Sequence, residues 1–154
     1  MTKIKLCGLT RPEDIAVANE LNPEYIGFVF AAKSKREVSP EKAVKLKAQL
    51  SPEIQAVGVF VNETPETVAG LLDAGIIDIA QLHGQEDETY IQHLRKLTNK
   101  PLIQVFCVTD AESLNKAEKS LADLILLDSG SGGTGTAFDW TLLEKFERPY
   151  FLAG

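Results

Sequence analysis

Lys3-Ile4-Lys5-Leu6-Cys7-Gly8-Leu9-Thr10-Arg11-Pro12 is a strand that ends on a thiol and passes at once into a helix start. Thr10-Arg11-Pro12-Glu13 has the form of a capping box with proline in the first turn. Ser39-Pro40 and Thr64-Pro65 repeat the cap-then-proline signature, so further helices announce their N-termini. Short β-branched or aromatic runs recur at residues 4–7, 25–30, 55–61, 77–82, 102–107, 124–127 and 150–152, about 20 to 30 residues apart, with helical stretches between them. Strands alternating with helices at this spacing specify an α/β chain with a parallel sheet. An open doubly wound sheet is the competing architecture, but its G-x-G-x-x-G fingerprint after the first strand is absent. The expected fold is therefore a (βα)8 TIM barrel in one domain, residues 1–154, represented by about six βα units plus the seventh strand, with its last part absent.

Composition limits the function before any motif is used. A chain of 154 residues, 44% hydrophobic and 25% charged, can bury a real core. Its net charge of −6 argues against a nucleic-acid or anionic-membrane surface, while leaving room for a local cationic pocket that takes an acidic small molecule. The first apolar segment carries Lys3 and Lys5, which suits neither a signal peptide nor a membrane span, and cytoplasmic residence is the expectation. Two cysteines a hundred positions apart read as thiols in a reducing compartment. No metal-ligand spacing of cysteine and histidine and no nucleotide loop occurs, so no metal and no cofactor is expected.

Strand C-termini of such a fold converge on one mouth, which selects the chemistry-bearing residues. Cys7 ends the first strand, and Asp128 ends the sixth just before the glycine-rich stretch 129–135. A thiol and a carboxylate at two strand ends are candidates for a base and an acid facing one substrate. The bland alternatives are a small packed hydrophobe for Cys7 and a turn cap for Asp128. Alternation puts Lys3, Lys5 and Cys7 on one strand face, where an ammonium would favour the thiolate. A free thiol titrates near about 8.5 and a free aspartic acid near about 3.9, so both would need tuning for acid–base work at neutral pH. Gln81 and His83 share a face at the end of the fourth strand, either as satisfied polar residues at the mouth or as substrate contacts. Arg36 lies with Lys33 and Lys35 in the loop after the second strand, a solvated cluster or an anion site. Cys107 reads as structural, Asp139 as the cap of the next helix, Trp140 as core packing and His93 as a silent surface residue.

Taken together, Lys5-Leu6-Cys7-Gly8-Leu9-Thr10, Gly27-Phe28-Val29-Phe30 with Lys33 to Arg36, Gly58 to Asn62, Gln81-Leu82-His83-Gly84, Leu126-Leu127-Asp128, and Gly132 to Gly135 followed by Phe138-Asp139-Trp140 resemble the phosphoribosylanthranilate isomerase family of tryptophan biosynthesis. That family continues past a Gly-Gly after strand seven, and Gly154 stands at the first of those glycines. The resemblance implies an Amadori rearrangement, with Asp128 as the acid that opens the furanose and Cys7 as the base at C2. It also implies a bidentate hold of Arg36 on the anthranilate carboxylate. Gln81, His83, Gly132, Gly133 and Gly154 are the expected substrate-binding residues, and the glycine-rich stretch 129–135 either presents backbone N–H groups to a phosphate or forms a mobile lid. Without the family's last unit, little activity from the 154-residue chain and exposed edges on strands one and seven are expected. Two other functions compete: a phosphosugar isomerase or lyase using paired carboxylates, and a non-catalytic barrel fragment that associates with a partner. The expected partner is a phosphorylated aminosugar; no nucleic acid or membrane is expected, and the oligomeric state is open.

Overall fold

The computed structural model describes residues 1–129 and 139–153. Seven strands appear where the sequence placed them: β1 Lys5–Cys7, β2 Tyr25–Val29, β3 Gln55–Phe60, β4 Ile79–Leu82, β5 Leu102–Cys107, β6 Leu124–Asp128 and β7 Tyr150–Ala153. Between them lie α1 Pro12–Leu21, α2 Pro40–Lys47, α3 Pro65–Asp73, α4 Glu88–Leu97 and α5 Ala111–Glu118, and a 3-10 helix, Trp140–Lys145, precedes β7. All neighbouring strands pair in parallel and in sequence order, from β1 to β7. Every β2 and β4 residue is buried, as a strand covered on both faces requires.

Two apolar layers hold the sheet. The outer one packs Ile26, Phe28, Phe60 and Leu82 against helix residues such as Ile15, Leu46, Leu72, Ile91 and Leu94. The inner one joins Tyr25, Val57, Ile79, Ile103 and Leu126 with Val105 and Phe151. Completely burying one such side chain contributes about 1.5–3 kcal/mol. Within the inner layer the rings of Tyr25 and Phe151 meet edge-on, their centroids 5.3 Å apart. One stands on β2 and the other on β7, so the sheet is curled until its inner face packs on itself.

The helix starts largely follow the sequence. Ser39 and Thr64 cap α2 and α3 by accepting from the Lys42 and Thr67 amides. At α1 the expected Thr10–Glu13 box is displaced by one residue: the N-cap is Arg11, and Asp14 is its partner. The Asp14 carboxylate accepts from the Thr10 and Arg11 amides at 3.0 Å each and from the Arg11 guanidinium at 2.8 Å. With Pro12 filling the first helical position, the carboxylate one turn in is the group that can reach back to both amides. β1 begins at Lys5, leaving Lys3 exposed ahead of the strand, so only Lys5 shares its face with Cys7. Trp140, expected in the core, is 62% exposed on the 3-10 helix.

The Arg11 guanidinium, aided by the Thr10 amide, holds the Asp14 carboxyl down at about 2. A carboxylate depressed on folding stabilises fully above its unfolded value of about 3.9 and stops doing so as pH falls toward the folded value. Asp14→Asn is therefore expected to melt about 2–4 °C below the parent at pH 7, the scale of one lost helix cap in a chain of this size. Melting curves from pH 7 down to pH 2 should show the two proteins converging between about pH 4 and pH 2.

Candidate active site

Cys7 closes β1 half-buried, in register with Gly27 on β2. The Gly27 carbonyl accepts from both the Gly8 and Leu9 amides, at 2.9 and 3.1 Å, which ends the strand in a tight turn. Gly8 takes φ +88°, a conformation glycine adopts without strain. Its missing side chain also makes room for Arg36: a Cβ there would lie 2.5 Å from Nη1. Nη1 of Arg36 donates to the Cys7 carbonyl at 3.2 Å. The loop carrying Arg36 is anchored by the Val38 amide on the Val29 carbonyl and by the Arg36 amide on Ser34 Oγ. Arg36, Lys33 and Lys35 are exposed, so this cationic loop meets solvent directly beside the thiol-bearing strand.

Across the mouth, Asp128 ends β6 in register with Cys107 on β5 and Ala153 on β7. Its side chain is 15% exposed, and its Oδ2 lies 3.6 Å from Nε2 of the more open His83. Gln81, buried at 2% exposure, places Nε2 3.1 Å from Nδ1 of His83. The Gln81 amide thus meets one ring nitrogen of His83 and leaves the other, Nε2, facing Asp128. Gln81 Oε1 is buried with no hydrogen-bond partner among the described residues. Cys107, expected to be packed, is exposed at the end of β5. Asp139 caps the 3-10 helix through the Thr141 amide, and His93 lies on α4 beside Glu66, away from the mouth.

Cys7, Arg36, Gln81, His83 and Asp128 thus all stand at C-terminal strand ends or in the loops that follow them. Gly132, Gly133 and Gly154 lie outside the described residues. Among the described residues no cluster of three or more His, Cys, Asp or Glu could hold a metal, and no helix is long and apolar enough to cross a membrane.

Residues 4–154 match the family described as N-(5'phosphoribosyl)anthranilate (PRA) isomerase. The chain belongs to the phosphoribosylanthranilate isomerase family. It is 44% identical to the N-(5'-phosphoribosyl)anthranilate isomerase of Endomicrobium trichonymphae and 41% identical to that of Thermoanaerobacter sp. (strain X514), aligning over all of this chain and 77% of each relative. The fold agrees with the crystal structure of phosphoribosyl anthranilate isomerase from Thermotoga maritima at a TM-score of 0.88 and 33% identity, over 100% of this chain and 77% of that one. A second family structure, in complex with reduced 1-(o-carboxyphenylamino)-1-deoxyribulose 5-phosphate, agrees at a TM-score of 0.84 and 32% identity, over 99% of this chain and 75% of that one.

One part of the isomerase mouth escaped the sequence reading. Glu86, 8% exposed, accepts from the Gly84 amide at 2.7 Å and from the Asn62 amide at 3.2 Å. Asn62 returns the bond by accepting from the Gln85 amide at 2.7 Å, its own backbone turned to φ +53°. This clasp ties the loop after β3 to the loop after β4 and fixes the chain immediately after His83. An asparagine directly after an apolar strand hints at a left-handed turn, but nothing local in the sequence reveals that the two loops meet. Glu86→Ala strands two inward-facing amide donors and is expected to cost about 2–4 kcal/mol in urea unfolding, with Glu86→Gln costing less because it keeps an acceptor.

Proposed function

We propose that the mouth of this chain serves the isomerisation of N-(5'-phosphoribosyl)anthranilate to 1-(o-carboxyphenylamino)-1-deoxyribulose 5-phosphate, with Cys7 as base and Asp128 as acid. The observation that carries this reading is the family match over residues 4–154 together with a thiol and a carboxylate at the C-terminal ends of β1 and β6. Asp128 gives its proton to the ring oxygen as the C1–O bond breaks and the nitrogen lone pair forms an iminium at C1. The Cys7 thiolate then takes the proton from C2; that electron pair forms the C1–C2 double bond and returns the iminium to an amine. The enolamine becomes the ketone by losing the proton on O2 and gaining one at C1. No atom is gained or lost, so Cys7 and Asp128 can exchange the protons without help from a redox group.

Arg36 suits the substrate's carboxylate because its planar guanidinium can fork onto both oxygens. The hydrogen bond to the Cys7 carbonyl engages Nη1 and leaves other N–H groups to bind an anion. His83, whose Nε2 lies 3.6 Å from Asp128 Oδ2, stands where its ring can stabilise the carboxylate formed when Asp128 gives up its proton. Gln81 orients that ring through its contact with Nδ1. The phosphate is assigned by sequence to Gly132, Gly133 and Gly154.

The test is the loss of anthranilate-type fluorescence as substrate is consumed. Cys7→Ala and Asp128→Asn should each lower kcat by about 10²–10⁴-fold, the usual worth of a positioned acid or base. Arg36→Met should act mainly by raising KM. Full turnover by Cys7→Ala would sink the assignment of the base.

A further inference from the structure

We propose that Gly27 is a positioning residue for the thiol: it provides the space in which the Cys7 sulfur sits. The proposal rests on Cys7 being the base and adds to it a residue whose contribution is the absence of a side chain. A Cβ built on Gly27 would lie 2.6 Å from Cys7 Sγ, closer than real Cβ atoms come to a neighbour. It would also stand 3.2 Å from Cys7 Cα and 3.3 Å from Cys7 Cβ, so its three nearest atoms all belong to Cys7. Gly27 has no positive φ to explain its identity and lies inside a buried strand, where glycine weakens a sheet by removing a packing side chain. Something other than backbone freedom therefore accounts for it, and the sulfur occupies the vacant volume.

The backbone of Gly27 acts on Cys7 as well. Its carbonyl takes the Gly8 and Leu9 amides and so holds the turn just beyond the thiol, while the β1–β2 register sets Cys7 directly opposite. Gly27 thereby limits the sulfur from two directions: the carbonyl fixes where the strand ends, and the missing side chain decides which rotamer the thiol takes. A sulfur can move by rotating about χ1, whereas a strand backbone cannot easily withdraw. An alanine at position 27 should consequently leave the sheet paired and turn the thiol to another rotamer. A misplacement of about 1 Å at a reacting group can cost on the order of 10²-fold in rate.

The experiment compares the full chain with Gly27→Ala, Cys7→Ala and the double variant, with Cys107→Ser added where Cys7 alone must be followed. The first measurement is the rate at which iodoacetamide alkylates Cys7, which needs no turnover. Gly27→Ala is expected to change it at least about fivefold in folded protein, and to lower kcat by about tenfold or more with KM within about twofold. A folded Gly27→Ala protein whose alkylation rate stays within about twofold overturns the proposal. The second measurement is a thermal cycle: the loss in Tm on Gly27→Ala should be largely relieved in the Cys7→Ala background, where no sulfur competes for the space. If Gly27→Ala does not fold, folding of the double variant supports the proposal, and failure of both overturns it. The base assignment fails separately, through retained turnover in Cys7→Ala, and that result would leave the alkylation and thermal readouts intact.

Discussion

The edge-on contact between Tyr25 and Phe151 sets the geometry on which the mouth depends. Parallel pairing alone would place β1 and β6 at remote positions in the sheet, and a base on one could not serve an acid on the other. Because rings from β2 and β7 touch across the inner face, the strands between them must curve. The contact itself is worth only about 0.5–1.5 kcal/mol beyond its buried area. Its structural weight comes from the inner layer it belongs to, where Val57, Ile79, Ile103 and Leu126 are buried against one another. Curvature is thus a packing result, and the convergence of strand ends follows from it.

Above that layer the mouth is arranged largely through main-chain hydrogen bonds. The Gly27 carbonyl ends β1, the Val29 carbonyl anchors the Arg36 loop, and the Glu86 carboxylate ties together the loops after β3 and β4. Side chains held this way have little freedom to drift relative to the strands, which is what acid–base chemistry between two separate elements requires. Asp128 is mostly buried and His83 is more open. The line from Gln81 through the imidazole to the carboxylate is therefore buried at both ends and most open at His83 in the middle.

The seven strands were legible because each is a short apolar run bounded by polar or glycine turns, and the helix caps at Ser39 and Thr64 because serine or threonine before proline is a local signal. Cys7, His83 and Asp128 could be selected for the same reason: each directly follows or ends an apolar run, and in a parallel α/β fold that position means the mouth; Arg36 was legible instead as part of the cationic cluster in the loop after the second strand. The failures have physical causes too. The α1 cap moved by one residue because Asp14 can reach two amides from one turn inside the helix. Trp140 stayed exposed because the segment is a 3-10 turn with a poor buried face. The Asn62–Glu86 clasp and the space over Gly27 depend on residues far apart in sequence, and no local pattern encodes such a meeting.

Charge distribution connects the mouth to its substrate. The chain carries −6 overall, and a substrate bearing a phosphate and a carboxylate is repelled by that field at long range. At physiological ionic strength the repulsion fades beyond about 8 Å, so the nearest charges dominate the last stage of approach. Those charges are Lys33, Lys35 and Arg36, all exposed on one loop. Arg36 alone among them is folded back over Gly8 onto the carbonyl of the residue that bears the thiol. With Arg36 as the proposed anion contact, an anion attracted by the loop would reach the β1 side of the mouth, beside the proposed base. The acid then needs only to reach the ring oxygen from the far side, which is the relation that a curled sheet gives to β1 and β6.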